Sequence, residues 1–199
     1  PNDTALLEMI DGHIGNLARA LRTNNSERAA FEAAWMAHAI TDGLTPAHHF
    51  PLEQAMAELR GGEGLETRTS ILKKNLMKGD NGIELIKNNW KFWGAKGMMT
   101  THVAFEAGVA SVVAYPRFKD AIPSGDEISQ VKYHGYREYY LNQVHAVASM
   151  KMYDNFSKSG WTTELAWQTN HELMPIIIKS VMLGWLASIW KLEAEKSES

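Results

Sequence analysis

The sequence predicts an all-α protein, a single-domain bundle of roughly six to eight helices over residues 1–199. Apolar residues recur at spacings of three and four over long stretches, as on the buried face of a helix. No run of useful length alternates apolar and polar residues as a half-buried strand does, and no internal repeat is present. Clusters of Gly, Pro and Asn separate the helical stretches and mark the turns between them.

The composition limits the kinds of site that the chain can hold. Hydrophobic residues make up 45% of the 199 residues and charged residues 22%, which is normal for a globular domain with a sizeable core. There is no cysteine, so disulfides and thiolate metal sites are excluded, and a metal must be held by His, Asp, Glu or backbone groups. The net charge of -3 gives no global basic field of the kind that marks nucleic-acid binding.

The first two predicted helices form a pair. Residues 4–22 carry one apolar face, and His13 lies on or beside it. Ser26 is predicted to cap a second helix that extends to Asp42. Because the link between them is short, we expect antiparallel neighbours, an arrangement that brings His13 towards His38.

The middle of the chain is predicted to contain three further helices, over residues 52–59, 66–78 and 83–93. Pro51 suits the start of the first of them. Residues 83–93 are amphipathic, and their basic face is interpreted as a solvated surface; its lysines are Lys87, Lys91 and Lys96. Residues 61–80 are the segment that we expect to leave the bundle.

The C-terminal half is predicted to hold helices over residues 98–115 and 128–156 and a last helix from about 161 to 193, kinked at Pro175. The most apolar run, residues 174–190, is shorter than the ~20 residues that span a bilayer. We therefore expect a buried or interface helix and no transmembrane segment. The N-terminus has neither Met nor a signal-peptide pattern, which indicates a processed chain or a fragment.

Histidines and carboxylates stand at spacings that suit a metal site. His38 and Asp42 share one helical face, and Gly43 and Pro46 shape the turn that leads to His48. His102 and Glu106 form a second pair at the same spacing, within an apolar helix, where buried polar groups need hydrogen-bond partners. The predicted metal ligands are His13, His38, Asp42, His48, His102 and Glu106. The alternative for each is an ordinary ion pair, a buried hydrogen-bonded residue or a surface histidine.

The stretch His38-x-x-x-Asp42-x-x-x-Pro46-x-His48 is similar to the signature of the zinc-dependent phospholipase C and S1/P1 nuclease superfamily. Residues 12–20, Gly-His-Ile-Gly-Asn-Leu-Ala-Arg-Ala, resemble the first helix of that family. The stretch Thr101-His102-x-x-x-Glu106 resembles its later His-x-x-x-Glu helix, in the same order along the chain.

The resemblance implies an all-α fold with two or three divalent metal ions, usually zinc, that hydrolyses phosphate esters. It assigns one complete site, with an open position for water, to His48, His102 and Glu106. It assigns a second ion to His13 and Asp42 and a third to His38 and Asp42. Asp42 is then the bridging ligand and the candidate catalytic residue.

The chain departs from the family pattern at two places. The family binds a metal through its mature N-terminal residue, typically Trp, whereas Pro1 stands here. The family also places an Asp and a His before the central motif, and residues 24–27 contain neither. The residues that could substitute by position are Asp11, Glu32, His49 and His145.

The predicted function is therefore a metal-dependent phosphoesterase that hydrolyses a small-molecule or lipid phosphodiester, with nucleic acid as an open alternative substrate. The alternative function is a non-catalytic metal-binding helical protein of the same fold. The weakest alternative is a metal-free helical interaction protein. The resemblance implies a secreted or periplasmic protein, and nothing in the sequence indicates an oligomeric state.

Overall fold

The structure is a computed structural model, and it describes residues 4–64, 69–116 and 118–197. Every regular element in these ranges is helical, which confirms the all-α prediction. The phospholipase C and P1 nuclease type of bundle stays a prediction. The predictions made for Pro1 and for residues 65–68 lie outside the described ranges.

The helices are numbered in chain order. They are α1 Thr4–Arg22, α2 Ser26–Gly43, α3 Leu52–Leu59, α4 Ile71–Asn75, α5 Gly82–Trp93, α6 Met98–Val113, α7 Gly125–His134, α8 Tyr136–Ser149, α9 Met152–Ser159, α10 Thr163–Gln168 and α11 Met174–Ser197. Short 3₁₀ turns occur at Pro46–His49 and Lys119–Ala121, and one π turn, Thr169–Leu173, joins α10 to α11.

The contacts divide the chain into two compact units. The first unit contains Pro1–Thr45, Tyr115–Lys151 and Trp167–Ser199, and the second contains Pro46–Ala114 and Met152–Ala166. The prediction of one domain over residues 1–199 stays a prediction.

In the first unit, α1 and α2 pack against each other as the predicted antiparallel pair. The apolar face of α1 is buried, as the spacing predicted; it carries Leu7, Ile10, Ile14 and Leu17. Asn25, and not Ser26 as predicted, caps α2, because its side chain accepts a hydrogen bond from the backbone N–H of Arg28.

Gly43, the last residue of α2, is required for space. The hydroxyl of Tyr140 donates a hydrogen bond to the carbonyl of Ile40 at 3.2 Å, one turn before the end of the helix. A Cβ on Gly43 would lie 2.1 Å from that hydroxyl oxygen and 2.6 Å from the side chain of Leu6. The sequence predicted a turn here, and the close approach of two side chains explains the glycine more directly.

The single helix predicted over residues 128–156 is wrong. The chain forms α7, α8 and α9 there, with breaks at Gly135 and Lys151, where φ is 94° and 52°. Gly135 adopts this conformation at no steric cost, so its break had a sequence signal. Lys151 is a residue type that rarely adopts a positive φ, so nothing local predicted the second break.

The last helix has close to the predicted bounds. From Thr163 to Ala194 the chain is continuously helical over 32 residues, so by length and composition alone it could cross a membrane, and the expectation of no transmembrane segment stays a prediction. The core helix of a globular protein passes the same test, and α11 packs against α1, α2, α7 and α8 within the first unit. The π turn ends two residues before Pro175, and the kink predicted at that proline stays a prediction.

In the second unit, α3, α5 and α6 surround a small core of Met56, Met77 and Phe92. The predicted helix 66–78 is wrong at its end, since α4 stops at Asn75. The backbone N–H and carbonyl of Met77 instead bond to the side chain of Asn89, at 3.0 and 2.9 Å. This clamp holds Met77 in the core without a helix.

Trp161, which follows α9, packs against α6 in the second unit. Trp161 stacks on Phe105, and its indole N–H donates to the carbonyl of Ala104 at 3.3 Å. A Cβ on Gly108 would lie 1.7 Å from the indole nitrogen, so the ring lies directly on the glycine. This contact fixes the helix that carries His102 and Glu106.

Candidate metal centre

His102 and Glu106 lie one turn apart on α6 and meet on one face of the helix. The distance from His102 Nε2 to Glu106 Oε1 is 3.1 Å. Phe105, on the same helix, is fully buried and turns this part of α6 towards the interior of the second unit. His102 is consequently buried, whereas Glu106 reaches solvent.

His48 reaches the same carboxylate from the 3₁₀ turn Pro46–His49. Pro46 and Ala47 are buried and anchor the turn. His48 Nε2 lies 3.2 Å from Glu106 Oε1, and its ring stacks on that of His102 with centroids 5.4 Å apart and planes 6° from parallel. Within the described ranges, these three residues are the only group of three or more His, Asp or Glu whose ligand atoms all lie within 4.8 Å of one another.

Two of the three ligand–ligand distances are compatible with a zinc ion. Around a tetrahedral zinc with bonds of about 2.0–2.1 Å, neighbouring ligand atoms are separated by about 3.3 Å. The two N–O distances, 3.1 and 3.2 Å, are close to this value. Two imidazoles and one carboxylate form a set that catalytic zinc sites use, and three protein donors leave a fourth position open. Two N–H···O hydrogen bonds have similar lengths, so the geometry permits a metal ion without requiring one.

The surroundings of His102 bear on how tightly a metal would be held. A metal-bound histidine normally donates its second ring N–H to a carboxylate or a carbonyl, which fixes the ring. His102 Nδ1 is buried and makes no hydrogen bond to any residue in the described part of the chain. Packing therefore orients this ring; His48 stacks on it, and Tyr153 contacts it edge-on at 6.3 Å between centroids.

Tyr153 is a neighbour of the site that the sequence did not indicate. It lies on α9, is buried, and packs against Phe50 and Phe105 as well as His102. Burial raises the pKa of Tyr153, and the negative charge of Glu106 raises it further. The phenol therefore stays protonated at neutral pH. No local pattern could have found it, since only the fold brings α9 to α6.

His13 meets a carboxylate of the neighbouring helix. The structure pairs His13 Nδ1 with Glu32 Oε2 of α2, and the expected approach of His13 to His38 stays a prediction. Glu32 is fully buried on α2, and Arg28 pairs with its other oxygen. The charge of this carboxylate is thus already balanced within the first unit.

His38 and Asp42 form a pair on the surface of α2. Their Nε2 and Oδ2 atoms are 3.3 Å apart, and both side chains are exposed. Trp35 contacts the ring of His38 edge-on at 5.6 Å. Among the residues that the structure describes, His13, His38 and Asp42 do not come together as a three-donor group.

Of the four candidate substitutes for the missing family ligands, Glu32 meets a predicted ligand, His13. Asp11 pairs with Arg137 at 3.2 Å. His145 is exposed on α8, and His49 is exposed at the end of its turn. Sequence position alone did not distinguish these four residues.

No family model, no curated protein and no solved structure matches the chain.

Proposed function

We propose that this chain is a metal-dependent phosphoesterase that binds a divalent ion, zinc by preference, through His48, His102 and Glu106. The observation that carries the proposal is a set of two imidazoles and one carboxylate at ligand spacing, contributed by two separate elements. His48 and Glu106 are partly exposed, so water and a substrate can reach the side of the site that they form. The order of the three motifs along the chain supports phosphoester hydrolysis in particular.

The residues around the proposed ion have different roles. His48 and His102 bind as neutral imidazoles, and Glu106 supplies the negative charge that compensates the ion. Phe50, Phe105 and Tyr153 form an apolar wall beside His102. When bound, zinc supplies Lewis acidity towards a phosphoryl oxygen and lowers the pKa of a water molecule.

We propose one ion, bound in the second unit. The motif resemblance implies one or two further ions. His38 and Asp42 offer two donors, and His13 is engaged with Glu32. A second or third ion with Asp42 as the bridging and catalytic residue would therefore need ligands in addition to these. The substrate proposed is a lipid or small-molecule phosphodiester, because the net charge of -3 disfavours long nucleic acid.

The test measures zinc binding and turnover on the full chain. We expect a bound zinc ion by elemental analysis and hydrolysis of bis(p-nitrophenyl) phosphate that a chelator abolishes and added zinc restores. Glu106→Gln should weaken zinc binding more than about 100-fold and remove turnover, because it deletes a ligand charge. Glu138→Gln, at an exposed carboxylate on α8 in the first unit, is the matched control and should change neither quantity.

A second function is favoured by one observation. In the first unit, the buried carboxylate of Glu32 pairs with His13 and Arg28. His13 is therefore engaged, and among the described residues the ligands for the family's second and third ions are incomplete. A protein that holds a single ion in this way suits a non-catalytic metal-binding function. Tight zinc binding with no turnover of any phosphodiester would favour this function. A chain that binds no zinc would contradict both functions.

A further inference from the structure

Helix α5 is packed on one side only. Phe92 lies in the core of the second unit, and the side chains of Asn88 and Asn89 bond to backbone carbonyls beneath the helix. Asn88 donates to the carbonyl of Lys78 at 2.7 Å, and Asn89 donates to that of Met77 at 2.9 Å. These contacts define the inner face of α5.

The outer face of α5 is apolar. Ile83, Ile86 and Trp90 are 81%, 71% and 71% exposed, and Trp93 is 46% exposed. Their spacing of three, four and three residues places them in one stripe, centred about 150° around the helix from Phe92. A helix on the surface of a globular protein normally turns polar residues outwards. An apolar stripe opposite the buried face indicates a second partner for α5.

The charges beside the stripe are mostly positive. Residues 82–97 contain three lysines, Lys87, Lys91 and Lys96, and one acidic residue, Glu84, although the whole chain carries a net charge of -3. The carboxylate of Glu84 accepts a hydrogen bond from the backbone N–H of Asp80 at the start of the helix. The surface that complements α5 is therefore apolar and negatively charged.

An open cavity beside α5 has room for an anionic group. Its volume is about 640 Å³, and Lys87 and Lys91 line it. The wall also carries Arg60 and Lys78 and four acidic residues, which are Glu58, Glu63, Asp80 and Glu84. Glu63 pairs with Lys78, Glu58 accepts from the side chain of Gln54, and Glu84 accepts from the backbone N–H of Asp80. Lys87 and Lys91 are the cations that α5 itself contributes to the wall.

We propose that α5 binds an anionic lipid surface. Ile83, Ile86 and Trp90 enter the boundary between headgroups and acyl chains, and the lysines face the lipid phosphates. A basic helix with Trp and aliphatic residues on one face binds membranes in this way, and Trp favours the interfacial region. A protein groove would bury the stripe equally well, but lysines beside it favour a surface of dense negative charge. The proposal does not depend on the metal centre.

The test uses the full chain and sedimentation with vesicles. We expect binding to phosphatidylcholine vesicles that contain about 30% phosphatidylserine, and much weaker binding to pure phosphatidylcholine. Ile83→Ser with Ile86→Ser should weaken binding at least about tenfold, because less apolar surface is buried. Lys87→Gln with Lys91→Gln should weaken it by about 30-fold on the anionic vesicles. Tyr115→Ser, at a residue that is 93% exposed in the first unit, is the control and should bind as the unmodified chain does.

Quenching of Trp fluorescence by brominated lipid locates the contact. The unmodified chain should be quenched, and Trp90→Phe should lose most of that quenching. Absence of binding to anionic vesicles would overturn the proposal, as would equal binding by the isoleucine variant. A stable dimer in solution that the isoleucine variant dissociates, without vesicle binding, would assign the stripe to a second copy of the chain instead.

Discussion

Two His–carboxylate pairs with the same four-residue spacing have different surroundings in this molecule. His38 and Asp42 on α2 lie 3.3 Å apart, and the His38 side chain is 62% exposed. His102 and Glu106 on α6 lie 3.1 Å apart, but the His102 side chain is only 11% exposed, and His48 contacts the same carboxylate. Helical spacing makes a pair, whereas a third donor from another element makes a site that can hold a metal ion.

The largest difference between the pairs should appear in zinc affinity. His102→Ala removes one of three donors and should weaken zinc binding more than about 100-fold. His38→Ala removes a residue that lies outside the three-donor group found among the described residues and should change the affinity by less than about threefold. Isothermal titration of the full chain with zinc measures both. Equal losses in the two variants would show that the α2 pair also holds zinc.

The packing of Trp161 on Gly108, which holds α6 in place, can be tested by substitution of the glycine. Gly108→Ala would push a Cβ into the indole of Trp161 and should lower the free energy of unfolding by about 2–3 kcal/mol. Gly12→Ala on α1 is the matched control, because a Cβ added there would have no neighbour within 4 Å and Ala favours a helix. That variant should gain up to about 1 kcal/mol. Urea denaturation of both variants measures the difference, and a stable Gly108→Ala variant would mean that Trp161 does not constrain α6.

The smallest effect is expected at Glu32, where a buried carboxylate has a structural role. Glu32→Ala should lower the free energy of unfolding by about 1–2 kcal/mol, since His13 loses its buried partner. Zinc affinity should stay unchanged, because Glu32 lies outside the three-donor group. Denaturation and zinc titration of the same preparation check the two expectations. A fall in zinc affinity with unchanged stability would instead place Glu32 and His13 in a metal site.

The sequence predicted those parts of the molecule that depend on local pattern. The all-α class, the α1–α2 pair and the shared face of His102 and Glu106 follow from periodicity and short links. The grouping of His48 with that pair came from the resemblance alone, since no spacing within one helix brings residue 48 to α6.

The remaining features depend on tertiary contacts. Glu32 became the partner of His13 because α1 and α2 pack in one particular register. The helix break at Lys151 has no local signal. For α5, the sequence analysis identified the basic face but not the exposed apolar stripe. A sequence does not show which of two apolar faces the protein buries. Phe92 provides that information once its surroundings are known.

The π turn at Thr169–Leu173 holds one more residue than an α-helical turn and precedes a proline that cannot donate a backbone hydrogen bond. Loss of one residue there would restore ordinary α-helical hydrogen bonding, because the turn already holds one residue more than an α-helical turn. Loss of one residue near Ser188 would rotate the remainder of the helix by about 100°. The π turn is therefore the position in this long helix at which the deletion of one residue should lower the stability least.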